Sequence, residues 1–371
     1  MLALMTDKTI EHGPLEFLFT TDEEVGLIGA ANITRDFFKS SCIVNLDEED
    51  LGVCVGCCGG HRIDLLLPLS RTSTPQGFTA LEVYLSNLFG GHSGADIHLN
   101  RGNAILLLAR ILNTIKRSLS TGDFLLGTFN GGSAHNAIPR SASAVVLIKN
   151  ELVEQAKTQM NTIAEQIKAE YIGIEENITL SINQTSFSAS VLDVSTTSKF
   201  LDAAVLMPNG VVRFDPVLKH LVETSQTNTI VSCKEDEEKA MFLISSRSSC
   251  GTQLQYLKIK LTAFADLVGM ETTPPTQEYP PWVPKYDSII LQLTKEAYTE
   301  ALGQDPHVSV VHGGLEPSML VSLDENIEAI SVGPLIRNPH TMGEYVDVPS
   351  VEKFWNLLQK MIAKWNVKHS A

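Results

Sequence analysis

Runs of apolar residues divide the chain into predicted strands and helices. Leu15–Thr20 and Cys42–Leu46 are short apolar runs, which are typical of strands buried on both faces of a parallel sheet. Ala80–Leu85 alternates apolar and polar residues, as expected for a strand with one exposed face. Apolar residues at helical spacing predict helices over Asn103–Lys116 and Ser350–Val367. The chain therefore combines an α/β region with an α+β region.

The same patterns predict a discontinuous domain with a second domain inserted into it. Thr272–Pro284 contains five of the sixteen prolines of the chain, which excludes a regular helix or a central strand there. We interpret this segment as the return to the first domain. The predicted domains are an α/β domain formed by residues 1–59 and 272–371, and an inserted α+β domain formed by residues 60–271. Further strands are predicted at Phe124–Phe129, Ser143–Ile148, Ile178–Ile182, Thr229–Cys233, Ala240–Ser245, Val308–Val311 and Ile327–Val332, and further helices at Glu151–Ala169, Ser195–Leu206, Thr252–Val268 and Ser288–Leu302.

Composition and charge limit the classes of function. The hydrophobic share of 43% and the charged share of 19% are those of an ordinary globular protein. A formal net charge of -15 argues against a nucleic-acid partner, because such binding requires a basic surface. The sequence contains no secretory pattern at its start and no apolar stretch of membrane-spanning length. We therefore expect a cytoplasmic protein without a membrane partner.

The cysteines include one C-x-x-C motif, Cys54 to Cys57. This motif could form a redox pair or half of a zinc knuckle. No second C-x-x-C and no paired histidines complete such a knuckle, and the surrounding sequence is typical of a buried strand. We favour small buried thiols as the interpretation.

Three consecutive acids, Asp22, Glu23 and Glu24, follow the first predicted strand. In open α/β sheets ligands bind at the carboxyl ends of the strands. One acid could ligate a metal ion while its neighbour holds the attacking water, as metal-dependent hydrolysis requires. The alternative is a solvated loop in which Asp22 caps the following helix. The acids from Asp47 to Asp50 follow the second predicted strand in the same way.

Several polar clusters flanked by glycines occur elsewhere in the chain. Each could be an ordinary tight turn, because glycine and asparagine favour turns for conformational reasons. Together with the acid pair and a late histidine, they favour a functional site. The clusters are Gly90–Gly94, Asn130–Gly132, Asn136–Arg140, His312–Glu316 and Pro334–His340.

These motifs, in this order, resemble those of the aminoacyl-histidine dipeptidases, which are also called Xaa-His or cytosol non-specific dipeptidases. That family belongs to the dinuclear zinc peptidases that include carboxypeptidase G and aminoacylase. The motifs are Thr-Asp-Glu-Glu-Val-Gly, Asn-Leu-Asp, Gly-Gly-His-Ser-Gly, Asn-Ala-Ile-Pro-Arg and His-Gly-Gly-Leu-Glu. The resemblance extends along the whole chain. It implies a three-layer α/β catalytic domain with an inserted α+β lid domain, a dipeptide substrate, two Zn²⁺ ions per subunit with Mn²⁺ or Co²⁺ as alternatives, and a homodimer formed through the lid.

The resemblance also implies roles for individual residues in the catalytic domain. Glu23 resembles the general base that takes a proton from the zinc-activated water. Glu24 and His340 resemble ligands of one zinc ion, and Asp47 resembles a ligand of the other.

In the lid domain, His92 is similar to the histidine that stabilises the tetrahedral oxyanion, reaching the active site of the partner in family dimers. Asn136 and Arg247 correspond to substrate-binding positions, and the guanidinium of Arg247 suits the C-terminal carboxylate of a dipeptide. Glu316 lies in the loop that resembles the one near the amino end of the substrate.

The chain departs from the family pattern in one respect. Family members carry a His-x-Asp motif and a bridging aspartate before the region that this chain matches, and no His-x-Asp occurs in its sequence. A catalytic zinc ion uses three protein ligands. Two hypotheses follow. In the first, the chain is a zinc dipeptidase whose N-terminal part is encoded elsewhere, lost to a wrong start codon or supplied by another chain. In the second, it is a truncated and catalytically inert remnant of such an enzyme.

Overall fold

The computed structural model describes residues 1–24, 26–216, 219, 221–337, 339 and 343–369, with residues 366–369 described by their backbone only. The chain folds into two compact units. Unit 1 comprises Met1–Gly59, Ser249–Gly251 and Tyr279–Ala371. Unit 2 comprises Gly60–Ser248 and Thr252–Glu278. Unit 2 is therefore inserted between two segments of unit 1.

The described residues form the following elements. The helices are α1 (Leu2–Thr6), α2 (Ile28–Ala31), α3 (Ala104–Ser118), α4 (Val153–Glu170), α5 (Val194–Leu206), α6 (Gly251–Val268), α7 (Ile289–Leu302), α8 (Pro317–Val321) and α9 (Val348–His369). The strands are β1 (Cys42–Asn45), β2 (Val53–Cys57), β3 (Gly59–Pro68), β4 (Arg71–Thr72), β5 (Phe78–Ser86), β6 (Gly91–His92), β7 (Phe124–Gly131), β8 (Ala137–Ile138), β9 (Ala142–Lys149), β10 (Thr179–Thr185), β11 (Val191–Leu192), β12 (Asn209–Phe214), β13 (Val222–Cys233), β14 (Lys239–Ser248), β15 (Glu271–Thr272), β16 (Thr276–Tyr279), β17 (Val308–Val311), β18 (Glu328–Ser331), β19 (Ile336–Arg337) and β20 (Tyr345–Val346). None of these helices combines the length and hydropathy that crossing a membrane requires.

Unit 1 is built on a mixed sheet with the strand order β1-β18-β2-β17. β1 is parallel to β18, and β17 is parallel to β2. One face packs against α7 and α9, with Val55 and Ile330 of the sheet in the same cluster as Leu291 and Leu357. The other face packs against α8 and against the loop that contains Trp282. The sheet therefore lies between two layers, as in a three-layer α/β domain.

Helix α7 shows how the local sequence fixes an element of this unit. The Ser288 hydroxyl accepts a hydrogen bond from Leu291 N, which satisfies one of the unpaired amides of the first turn. The helix ends at Gly303, whose φ of 74° is accessible to glycine at little cost. The predicted helix from Ser288 to Leu302 is therefore confirmed, with the serine as its cap.

Unit 2 is built on a larger sheet, ordered β10-β5-β9-β7-β13-β14-β3-β15 in the described part of the chain. β12 pairs with β13, and β16 pairs with β3. Helices α3, α4, α5 and α6 contribute Leu108, Met160, Phe200 and Leu261 to one core on a single face of this sheet. The side chains of alternate strand residues therefore point either into this core or toward the opposite face.

One predicted strand is wrong. Leu15–Thr20 forms no ladder with any strand in the described residues, and Phe19 is 56% exposed. Phe17 and Leu18 instead pack against small apolar clusters, and the Glu16 carboxylate accepts a hydrogen bond from Ser40 N at 2.7 Å. An apolar run indicates that side chains are buried, and here Phe17 and Leu18 are partly buried by packing without strand pairing in the described residues.

One strand is longer than predicted. The prediction began at Thr229, whereas β13 begins at Val222. The added residues are polar yet buried, and the strand carries a bulge between Asn228 and Ile230. An apolar pattern could not reveal this segment, because its buried side chains are polar.

Candidate active site

The acid loop of unit 1 is a tight turn held by its own backbone. Leu27 N donates to the Glu23 carbonyl at 2.9 Å, and Ile28 N donates to the Asp22 carbonyl at 3.2 Å. The residue that precedes α2 is Leu27, with a φ of 59°, so the alternative in which Asp22 caps this helix is wrong. The Glu23 side chain is half-buried, whereas Glu24 is exposed.

The second acidic segment follows β1, as the sequence predicted. Asp47 is exposed, and its neighbour Glu48 is buried. Burial, followed by the negative charge of Asp50, raises the pKa of Glu48 to about 7. A buried carboxyl next to other acids favours its protonated form, because burial removes the solvation of the charge and the neighbouring negative charges repel it.

The predicted zinc ligands do not form a complete metal site in the described part of the chain. His340 lies outside the described residues. Within the described ranges, no group of three or more histidines, cysteines, aspartates and glutamates is arranged to hold a metal ion. Glu24 and Asp47 therefore do not by themselves fit a catalytic zinc ion, which takes three protein ligands.

His92 in unit 2 has a defined hydrogen-bonding state. Its Nδ1 accepts hydrogen bonds from Gly94 N at 3.2 Å and from Ala95 N at 2.9 Å. A neutral imidazole that accepts at Nδ1 carries its proton on Nε2. His92 can therefore donate a hydrogen bond from Nε2, which is the capacity needed to stabilise a developing oxyanion.

The loop that carries His92 is anchored at both ends by one carboxylate. Glu175 is buried, and its two carboxylate oxygens accept from Phe89 N at 2.8 Å and from Gly102 N at 2.9 Å. Nothing in the sequence identified this role, because Glu175 lies more than seventy residues further along the chain. Charge-assisted bonds to two backbone amides hold the loop more firmly than neutral bonds would.

A second set of contacts fixes the loop from within. Asp96 Oδ2 accepts from His92 N at 2.9 Å and lies 3.5 Å from Arg101 Nη1. Gly91 has a φ of 133°, and a Cβ atom there would lie 2.4 Å from Arg101 Nη1. Only glycine fits this position, which explains the glycine before the histidine.

The structure brings Asn136 close to His92. β6 and β8 pair so that His92 lies opposite Ala137. The Asn136 carbonyl accepts from Ser93 N at 2.7 Å. The two predicted residues therefore share one small ribbon, although 44 positions separate them in the sequence.

Arg247 lies on β14, and Glu316 lies in unit 1. Arg247 is 8% exposed and pairs with Ser225 of β13. Glu316 precedes α8, and its Oε1 is buried without a hydrogen-bond partner in the described residues. A buried carboxylate oxygen of this kind is costly unless a ligand or cation satisfies it.

The loop that ends at Glu316 is held by two thiols that the sequence did not reveal as contacts. Cys58 Sγ donates to the Gly313 carbonyl at 3.2 Å, and Cys57 Sγ donates to the Leu315 carbonyl at 3.9 Å. Burial raises the pKa of the Cys57 thiol, so it stays protonated. The two cysteines are therefore buried thiols that donate to this loop.

Comparison with known proteins gives the family. Residues 83–175 match the family described as a peptidase dimerisation domain. Over 362 residues the chain is 33% identical to the cytosol non-specific dipeptidase of Escherichia coli (strain K12), and the match covers 97% of this chain and 73% of that protein. The chain belongs to the cytosol non-specific dipeptidase family. The resemblance in the sequence motifs is thereby confirmed.

The fold is confirmed by a solved structure of the same family. The crystal structure of aminoacylhistidine dipeptidase from Vibrio alginolyticus superposes with a TM-score of 0.87 at 32% sequence identity. The match covers 98% of this chain and 73% of that one. The predicted fold class, a three-layer α/β domain with an inserted α+β domain, is therefore correct.

Proposed function

We propose that this protein is a metal-dependent dipeptidase that hydrolyses dipeptides, including those with a C-terminal histidine. The observation that carries the proposal is the 33% identity to a cytosol non-specific dipeptidase across 97% of the chain. The structural similarity to an aminoacylhistidine dipeptidase, with a TM-score of 0.87, supports the same class of substrate.

Three side chains are proposed to bind the dipeptide. Arg247 binds the C-terminal carboxylate through its planar guanidinium, which matches a carboxylate in two parallel hydrogen bonds. Asn136 is the second residue of unit 2 that contacts the substrate. Glu316 receives the N-terminal ammonium, because its buried Oε1 lacks a partner in the described residues and a cation would supply one.

Two further side chains are proposed to act in the chemical step. Glu23 accepts the proton of the attacking water and returns it to the departing amine. His92 donates from Nε2 to the oxyanion that forms as the carbonyl carbon becomes tetrahedral. The bonds that its Nδ1 accepts from Gly94 and Ala95 support this tautomer before substrate binds.

The cofactor, the assembly and the location belong to the same proposal. We propose Zn²⁺ as the metal, with Mn²⁺ or Co²⁺ as alternatives, and Glu24, Asp47 and His340 as ligands. Glu24 and Asp47 alone do not fit a catalytic zinc site, which takes three protein ligands. The match of residues 83–175 to a peptidase dimerisation domain supports a homodimer formed through unit 2. The name of the Escherichia coli relative supports a cytoplasmic location.

The test is zinc content and hydrolysis of Ala-His by the purified 371-residue chain with added Zn²⁺. Bound metal and turnover that a chelator abolishes are expected. A matched assay with Mn²⁺ and with Co²⁺ identifies the preferred ion. Absence of turnover with all three ions, in protein that is folded by circular dichroism, would contradict the proposal.

The second candidate is an inert member of the family. No His-x-Asp motif occurs in the sequence, which favours this candidate. It predicts a folded chain that binds dipeptides but neither retains zinc nor hydrolyses Ala-His. The same assay separates the two candidates.

A further inference from the structure

Two arginines lie on the same face of adjacent strands in unit 2. β14 and β3 are neighbours in the sheet. On β3, Ile63 and Leu65 belong to the helix-covered core, so Arg62 points to the opposite face. On β14, Phe242 and Ile244 belong to that core, so Arg247 also points to the opposite face. Leu69 N, just after β3, donates to the Glu238 carbonyl, just before β14, so the strands are antiparallel and Arg62 lies opposite Ser245, two residues from Arg247. Neighbouring strands are about 4.8 Å apart, so both guanidinium groups can reach one small ligand.

Hydroxyl groups lie on the same face beside the arginines. Ser225 pairs with Arg247, and Thr227 pairs with Ser245, two positions away on each strand. Thr227 is 1% exposed, and its Oγ1 has no hydrogen-bond partner in the described residues. A buried hydroxyl without a partner indicates a position where a ligand or water supplies the missing bond.

A histidine adds to this group from the loop after β7. His135 lies next to Asn136, just before β8, and β8 packs against β13. Burial, followed by the positive charges of Arg62 and Arg247, lowers the pKa of His135. The imidazole is therefore within the electrostatic field of both arginines, and it can donate a hydrogen bond to an anion between them.

We propose that Arg62 and His135 form a second anion subsite beside Arg247, and that it binds the side-chain carboxylate of a dipeptide whose C-terminal residue is aspartate or glutamate. The inference rests on the proposed function, in which Arg247 holds the C-terminal carboxylate. It adds a preference for a ligand that carries two carboxylates at its C-terminal residue.

The charge of the whole chain makes a local subsite necessary for such a ligand. The formal net charge of -15 repels acidic dipeptides at long range. Arg62 and Arg247 place two guanidinium groups on one sheet face, where they can offset this repulsion at short range. A neutral side chain of the same shape, such as glutamine, gains much less from these groups, which gives selectivity by charge.

The test compares Ala-Glu with Ala-Gln, which differ by one charge at nearly constant shape. The wild-type chain should favour Ala-Glu by about tenfold in kcat/KM, or in Kd measured by calorimetry if no hydrolysis occurs. Arg62→Gln should bring that ratio close to one. If this variant does not fold, His135→Asn is measured in its place and should lower the ratio by a smaller factor.

Arg110→Gln is the matched control, because it removes one arginine from an exposed helical ion pair with Glu170 in the same unit. It should keep the wild-type ratio. The subsite proposal would be overturned if the wild type showed an Ala-Glu to Ala-Gln ratio near one, or if Arg62→Gln showed the same ratio as the wild type. Equal hydrolysis of both dipeptides would contradict the subsite and keep the proposed function. Binding of Ala-Glu that depends on Arg62, without hydrolysis of any dipeptide, would support the subsite and contradict the proposed function.

Discussion

The loop around His92 and the acid loops of unit 1 differ in how they are held. The His92 loop is anchored by Glu175 and Asp96, whose carboxylates accept hydrogen bonds from backbone amides. The predicted ligands Glu24 and Asp47 are exposed carboxylates, and the described residues contain no group of three potential metal ligands. Carboxylates organise the His92 loop by accepting hydrogen bonds from its backbone, whereas the acid loop at Glu23 is held by backbone hydrogen bonds and leaves the Glu24 carboxylate exposed.

The largest effect is expected at the acid loop, for Glu23→Gln. We expect kcat for Ala-His to fall by about 10³-fold, because the amide cannot accept the proton of the attacking water. The variant should retain the zinc content of the wild type. Glu11→Gln, a change at another exposed acid of unit 1, is the control. Turnover near the wild-type rate in Glu23→Gln would disprove the assignment of the general base.

The next effect is expected in the anchored loop, for His92→Gln. Loss of the Nε2 donor should lower kcat by about 10²-fold with little change in KM, because the oxyanion exists only in the transition state. His98→Gln, at an exposed histidine of the same loop, should keep both parameters. A rise in KM with unchanged kcat would instead assign His92 to ground-state binding.

Acid should weaken unit 2 through His61. This side chain is 2% exposed, neither ring nitrogen has a partner in the described residues, and burial, followed by the charge of Lys258, lowers its pKa to about 4. The unfolded chain takes up the proton below about pH 6.5, whereas the folded chain does not until about pH 4. Stability is therefore lost as the pH falls between these values, by about 1.4 kcal/mol per pH unit.

Denaturant unfolding at pH 7, 6 and 5 measures this loss. The free energy of unfolding of His61→Leu should fall less steeply with decreasing pH than that of the wild type, and the difference in slope should be about 1.4 kcal/mol per pH unit. His307→Gln, at an exposed histidine of unit 1, should follow the wild type. Parallel curves for His61→Leu and the wild type would show that His61 does not titrate differently on unfolding.

The smallest effect is expected for Glu175→Gln. One oxygen of the amide can still accept a backbone hydrogen bond, but the NH₂ group faces the second amide, at a cost of about 1 kcal/mol in the free energy of unfolding. We expect a smaller decrease in kcat than for His92→Gln, since the loop loosens but keeps its histidine. Glu176→Gln, at the exposed neighbour, is the control. Unchanged stability and kcat in Glu175→Gln would show that the loop does not depend on this anchor.

Much of the fold followed from apolar periodicity. The alternation over Ala80–Leu85 predicted a strand with Leu81 and Val83 inside, and both are fully buried in β5. The helices from α3 to α7 lie where their apolar stripes predicted them. The strand predictions that were wrong or incomplete concern two segments in which apolar character and strand pairing do not coincide. Leu15–Thr20 is apolar but has no strand partner in the part of the chain that the structure describes, and the first half of β13 is polar but buried.

The sequence by itself determined the family, the order of the elements and the identity of the candidate side chains, because these depend on motifs and on spacing along the chain. Only the tertiary structure decided that Glu175 anchors the His92 loop, that two thiols hold the loop before Glu316, and that Arg62 shares a sheet face with Arg247. These contacts join residues that are distant in sequence. No local pattern encodes such a contact, since strand pairing and packing bring its two partners together.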